Sequence, residues 1–330
     1  MDRPDDPLAL DFHAHKLPVA MNRPRITPPN IAVEPECWRR PALADAVVAG
    51  GGRVTTPPEA EALVWAEPAA PDLLSGVLAD GPGIEWVQLP YAGIEILTHL
   101  LDRDHRWTCG KGVYAEPVAE HVLMLSLAGL RGMGRYARAK DWSPPEGRNL
   151  LGGRVTVLGG GGITDSLVRL LDPWDCTITV LRRHPAPMGG VDRVVGPESL
   201  HEALGDADVV VVALALTPET AGIIDTDALD AMAPHAWLIN VGRGGHVVTD
   251  DLVGALATGG IGGAALDVTD PEPLPEEHPL WHLDNCLITP HVANTPEMGL
   301  RLLARRVTEN VRRYIAGDDL LGPVDVDLGY

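Results

Sequence analysis

The chain has 330 residues, 45% of them hydrophobic, which is enough for two cores at the ~100–200 residues usual for one domain. Its 46 acidic residues against 26 basic ones give a net charge of −20, which argues against a nucleic-acid or anionic-membrane partner. Four cysteines, Cys37, Cys109, Cys176 and Cys286, are scattered without Cys-x-x-Cys spacing, as expected of reduced thiols in a cytoplasmic protein with no metal site.

Residues 1–29 are rich in Pro, His and charge without periodicity and read as a flexible leader. They open on acids and prolines instead of the basic and apolar regions of an export signal, and no run approaches the ~18 apolar residues of a membrane span. Strands at 31–33, 62–65 and 86–89, with helical segments near 40–50 and 70–80, make a first α/β unit. The stretch 116–130 is apolar on nearly every side from Val118 onward, which fits a central helix packed between two units. From 150, apolar runs at 154–158, 177–181, 209–215, 237–241, 263–268 and 286–289 read as buried strands. Helices at 165–171, 198–204, 226–232 and 250–257 alternate with them, several opening on a capping residue such as Asp225 or Thr249. A last helix over 296–316 places Arg301, Arg305, Arg306, Arg312 and Arg313 on its wet face and folds back on the first unit. The class is α/β, with two Rossmann-like or flavodoxin-like domains, parallel doubly wound sheets and an active site in the cleft between them.

Gly159 and Gly161 occupy the first two positions of a G-x-G-x-x-G turn between a predicted strand and a predicted helix. They permit the tight turn and the close approach of backbone to a pyrophosphate whose charge rests on the helix N-terminus. The third position is Thr164, small enough to replace glycine with slight displacement. About twenty residues on, where an NAD-selective site carries an acid, stand Arg182 and Arg183. Two guanidinium groups can bind a 2′-phosphate but cannot accept from a free 2′-hydroxyl, so NADP(H) is the preferred cofactor and NAD(H) a possible one.

Residues 237–248 run a buried strand into a glycine turn that presents Arg243, placed to grip an anion. Glu272 follows in a Pro-rich acidic loop, and His291 in Thr289-Pro-His-Val-Ala. Singly, each also fits a solvated surface residue. Jointly, each after a predicted strand where such sheets bind ligands, they supply the grip, the carboxylate and the imidazole for reducing a 2-oxo acid.

From about residue 60 to 315 the chain resembles the D-isomer-specific 2-hydroxyacid dehydrogenases, a family that includes glyoxylate/hydroxypyruvate reductases. The motifs are Trp86-Val-Gln-Leu-Pro-Tyr-Ala-Gly-Ile-Glu, Gly112-Val-Tyr-Ala-Glu-Pro-Val-Ala-Glu-His, the glycine turn, Leu216-Thr-Pro-Glu-Thr, Asn240-Val-Gly-Arg-Gly, Leu266-Asp-Val, Glu272-Pro-Leu-Pro and Thr289-Pro-His-Val-Ala. The resemblance implies that Arg243 binds the substrate carboxylate and polarises the 2-oxo group. It implies that His291 gives its proton to the carbonyl oxygen as hydride arrives, and that Glu272 hydrogen-bonds His291 and favours the imidazolium. The backbone of Ala92 and Gly93 is implied to donate to the carboxylate. Tyr91 stands where small residues are common in the family, and it either narrows the pocket or turns to solvent. Trp65 either lines the substrate side or lies in the core.

By the same resemblance, Asp267 accepts from the nicotinamide carboxamide, with Val241 and Gly242 near that ring. Thr217 and Pro218 border the adenosine side, Gly162 and Ile163 the pyrophosphate, and His121 is structural. The implied division is a discontinuous substrate domain at 1–112 and 294–330 and an NAD(P)-binding domain at 113–293, with hinges near 110–118 and 291–296. The resemblance further implies a homodimer through the nucleotide domain, with Trp142 approaching the partner's site, and a small 2-oxo or 2-hydroxy acid as the partner molecule. A nucleotide-sensing protein like the corepressors of the family is the second reading.

Overall fold

A computed structural model describes residues 27–68 and 70–327, so the leader expected at 1–29 lies outside the described residues as far as position 26. The first unit runs β1 (Asn30–Glu34), α1 (Arg40–Ala49), β2 (Arg53–Thr55), β3 (Ala62–Trp65), α2 (Pro71–Asp80), β4 (Trp86–Gln88) and β5 (Arg106–Thr108). All its strand pairs are parallel, in the order β2-β1-β3-β4-β5. The chain then crosses into α3 (Ala115–Leu130) and the short α4 (Met133–Arg138).

The second unit comprises β6 (Arg154–Leu158), α5 (Gly162–Leu171), β7 (Thr177–Leu181), β8 (Arg193–Val195), α6 (Leu200–Gly205), β9 (Val209–Val212), α7 (Thr226–Ala231), β10 (Trp237–Asn240), α8 (Thr249–Thr258), β11 (Gly263–Leu266) and β12 (Cys286–Ile288). Its seven parallel strands lie in the order β12-β11-β10-β9-β6-β7-β8. Every residue of β9, β10 and β11 is buried. Parallel sheets covered by helices on both faces require such unbroken apolar runs, which is why these strands were the plainest in the sequence. Sequence order reverses between β6 and β9, and ligands of such sheets sit at that reversal, beyond the carboxyl ends of the strands.

Three strands escape the sequence pattern: β2, β5 and β8, each of three residues and each at a sheet edge. Two of them, β2 and β8, carry exposed polar positions, so neither length nor alternation marks them.

The last helix, α9 (Pro296–Ala316), does return to the first unit. Thr295 caps it, accepting from the amide of Met298 at 3.3 Å, Pro296 sits at its first turn, and Gly317 closes it at φ +78°. Its face of Leu303, Val307, Val311 and Tyr314 packs with Ile31, Leu43 and Trp86. Arg306 departs from the wet face expected for it. It is half-buried and donates to the carbonyls of Cys109 at 3.4 Å and Lys111 at 3.1 Å, where the chain leaves β5 and those groups lack strand partners. Among the described residues no helix is long and apolar enough to cross a membrane, and the four cysteines are unpaired.

Candidate active site

The glycine turn lies at the reversal point. Gly159, directly after β6, has φ +114°, and a Cβ there would lie 2.5 Å from the carbonyl oxygen of Ala213 beyond β9. Only glycine fits both demands. Thr164 does more than replace the third glycine: it is fully buried, and its hydroxyl donates to the carbonyl of Gly159 at 2.6 Å, closing the turn. A Cβ on Gly161 would meet nothing within 4 Å, so the turn opens onto free space at the N-terminus of the ten-residue α5, with Gly162 and Ile163 in its first turn. That cradle fits a pyrophosphate.

Arg182 lies across this turn, its Cδ 3.1 Å and Nε 3.2 Å from where a Gly160 side chain would begin. Arg183 is exposed and pairs with Glu219 at 3.8 Å. Glu219 belongs to the turn of Thr217 and Pro218, and a hydrogen bond from Thr217 holds its carboxyl below the usual range. Glu219 lies inside the Leu216-Thr-Pro-Glu-Thr motif, but its competition with a ligand for Arg183 shows only in the fold.

Arg243 stands on a turn held by the side chains of Asn240 and His246 and by its own guanidinium, whose Nη1 donates to the Gly242 carbonyl at 2.8 Å. Asn240, at the end of β10, donates to the Arg243 carbonyl at 3.0 Å and accepts from the Gly242 amide at 3.1 Å. The Arg243 amide donates to Nδ1 of His246 at 3.0 Å, which places the His246 proton on Nε2. His246 is fully buried, and burial pushes its pKa down, so the imidazole that shapes the turn is neutral. Val241 and Gly242 are buried beside it. A Cβ on Gly244 would penetrate the carbonyl of Thr269, a backbone group that cannot swing aside. Gly244→Ala is therefore expected to cost about 3 kcal/mol of folding stability, read as a lower urea midpoint at unchanged m.

Two strands further, His291 and Glu272 meet: Nδ1 of His291 lies 2.7 Å from Oε1 of Glu272, and the two side chains are 52% and 43% exposed. With Nδ1 engaged, Nε2 is the nitrogen left for chemistry. The backbone of His291 is left-handed, at φ +53°. Its amide donates to the Asp267 carbonyl at 2.8 Å. The Asp267 carboxylate, 2% exposed, accepts from Thr289 Oγ1 at 2.6 Å and Val292 N at 2.9 Å on Oδ1, and from Ala293 N at 3.0 Å on Oδ2. Desolvation by burial raises its pKa, but hydrogen bonds, first from His121 and then from Thr289, Val292 and Ala293, outweigh it and hold the pKa at about 2. Among the described residues Ala293 is the hydrogen-bond donor to Oδ2, which leaves that oxygen a further acceptor position.

In the first unit, Tyr91, Ala92 and Gly93 follow β4 at the carboxyl edge of its sheet. Tyr91 is neither turned to solvent nor free. Its hydroxyl accepts from Arg39 Nη2 at 3.2 Å, Arg39 Nη1 binds Glu67 at 3.2 Å, and its ring meets Tyr114 edge-on at 5.8 Å. Tyr114 in turn donates to the Pro90 carbonyl at 2.5 Å, tying this turn to the crossing into α3. Among the described residues, the amides of Ala92 and Gly93 have no hydrogen-bond partner, as an anion cradle requires. Trp65 is fully buried in the core between this sheet and α2.

The model of the D-isomer specific 2-hydroxyacid dehydrogenase NAD-binding domain matches residues 121–293. Glyoxylate/hydroxypyruvate reductase A of Serratia proteamaculans is 32% identical over 82% of this chain and 87% of its own. A D-isomer specific 2-hydroxyacid dehydrogenase from Xanthobacter autotrophicus Py2, solved with NADPH and MES, superposes with a TM-score of 0.78 at 29% identity, covering 92% of this chain and all of that one. An NADPH-dependent glyoxylate/hydroxypyruvate reductase from Sinorhizobium meliloti, solved with NADP and sulfate, gives a TM-score of 0.75 at 26% identity over 92% of this chain. The chain belongs to the D-isomer specific 2-hydroxyacid dehydrogenase family and is an NAD(P)-dependent oxidoreductase.

Proposed function

We propose that the chain is an NADP(H)-preferring reductase that converts a small 2-oxo acid, glyoxylate or hydroxypyruvate first among them, to the D-2-hydroxy acid. The observation that carries this is the 2.7 Å pair of His291 and Glu272 on the same row of strand ends as Arg243. The bound nicotinamide supplies a hydride. Arg243 and the amides of Ala92 and Gly93 hold the carboxylate, and Arg243 draws charge from the 2-oxo group. Nε2 of His291 delivers the proton to the carbonyl oxygen, while Glu272 retains the proton on Nδ1. Asp267, Val241 and Gly242 border the nicotinamide side, Gly159, Gly161, Gly162 and Ile163 the pyrophosphate, and Thr217 and Pro218 the adenosine side.

The active site then lies in the cleft between a substrate domain at 1–112 and 294–330 and a nucleotide domain at 113–293, in a cytoplasmic enzyme. A homodimer is the proposed assembly, supported by an apolar groove of about 410 Å³ along α3, α4 and β12, lined by Met124, Met133, Trp281 and Leu287. Trp142 is fully exposed beyond α4, free to reach a partner.

Arg182 and Arg183 carry the NADP(H) preference, and their joint replacement tests it. Charge-assisted hydrogen bonds to a 2′-phosphate predict that R182A with R183A lowers the NADPH/NADH ratio of kcat/KM roughly 10- to 100-fold. An unchanged ratio would remove the phosphate assignment and leave NAD(H) as an equal cofactor.

A further inference from the structure

We infer that His121 is a positioning residue for His291, acting through Thr289 and Asp267; this rests on the reading of His291 as the proton donor. His121 sits on α3, and its side chain is 13% exposed. Its Nε2 lies 3.0 Å from Thr289 Oγ1 and 3.3 Å from Asp267 Oδ1. The Thr289 hydroxyl spends its single proton on Asp267 at 2.6 Å, so toward His121 it can only accept. That fixes the direction of the chain: His121 Nε2–H donates to Thr289, and Thr289 donates to Asp267.

Asp267 is the residue on which the His291 loop hangs. Its carbonyl accepts the His291 amide, and its two carboxylate oxygens accept the next two amides, Val292 and Ala293. These bonds hold a non-glycine residue at φ +53°, a conformation that persists only when its surroundings over-determine it. The ring of His291 is itself half exposed and touches Glu272 alone by hydrogen bond among the described residues, so its aim depends on its backbone. His121 completes the anchor from α3, the first helix after the chain leaves the substrate-side unit. Thereby the proton donor is fixed to the element that joins the two units.

The test separates this role from general folding. His121→Leu and Thr289→Val are each expected to lower kcat between about tenfold and 100-fold, the cost of small misplacements at a reacting centre, with KM for the 2-oxo acid within about twofold. His121→Gln, whose amide N–H occupies nearly the place of Nε2–H, and Thr289→Ser are expected to restore most of kcat. The double variant is expected to be little worse than Thr289→Val alone, because both act on one chain. In the ligand-free protein, hydrogen exchange at the Val292 and Ala293 amides is expected to rise about tenfold in His121→Leu while core amides of β9 and β10 keep their protection. Unaltered kcat together with unaltered exchange at 292 and 293 would overturn the inference, as would a uniform loss of protection, which marks a merely structural residue. Wild-type protein without turnover on any 2-oxo acid would sink the reductase reading, and the exchange measurement would still decide whether His121 anchors the loop. Should His121→Leu fail to fold, Thr289→Val and Thr289→Ser carry the same comparison.

Discussion

Replacing His291 with asparagine is expected to lower kcat for glyoxylate with NADPH about 10²- to 10⁴-fold, the usual share of a positioned general acid. Asparagine is the informative substitute, because it tolerates the left-handed backbone found at this position. The loop anchored on Asp267 is then undisturbed, and the loss reports proton transfer and not strain. NADPH affinity is expected to stay unchanged, since the cradle proposed for the dinucleotide is the glycine turn and α5. A His291→Asn protein with near wild-type kcat would show that the proton comes from elsewhere.

Arg243→Ala is the second large effect. The guanidinium is the side-chain cation on the turn that follows β10, and its removal leaves a substrate carboxylate in the cleft with backbone amides alone. Truncating one member of a desolvated charge pair costs about 2–5 kcal/mol, so kcat/KM for the 2-oxo acid is expected to fall roughly 30- to several-thousand-fold. Both kcat and KM should change, because the proposed mechanism has the same group bind the carboxylate in the ground state and polarise the carbonyl in the transition state. The turn keeps its bonds from Asn240 and His246 to the backbone of residues 242 and 243 and loses the 2.8 Å hydrogen bond of Arg243 Nη1 to the Gly242 carbonyl, so the variant's melting temperature is expected to fall by only a few degrees. A loss confined to stability, with kcat/KM preserved, would refute the anion grip.

How far these residues could be read in advance follows from how local their signals are. The buried strands β9, β10 and β11 are apolar runs broken only by Asn240 at the end of β10, so composition marks them, whereas β2, β5 and β8 exist only because a neighbour offers an edge to pair with. Arg243, Glu272 and His291 each follow such a strand, and short motifs identify them. Their supports are different in kind. His121 reaches Thr289 across 168 positions of sequence, and no local pattern encodes that contact. Thr164 reads in sequence as a small stand-in for the third glycine, and its hydroxyl's role in fastening the turn is visible only in the fold. Arg306 fitted the charged stripe of α9, but carbonyls left free at the end of β5 draw it inward. Tyr91 was ambiguous because its partner, Arg39, comes from a different strand-helix connection. Apart from Thr164, whose partner is five residues away, the decisive partner in each case is distant in sequence and supplied by tertiary packing.

The most direct measurement sets NADPH binding and NADPH oxidation side by side on the same wild-type preparation, with glyoxylate and hydroxypyruvate as acceptors and absorbance followed at the nicotinamide band. Saturable oxidation with both acids, yielding the D-isomer of glycerate from hydroxypyruvate, is the expected result. Tight NADPH binding with no oxidation on either acid would contradict a reductase and leave a protein that binds the nucleotide without using it.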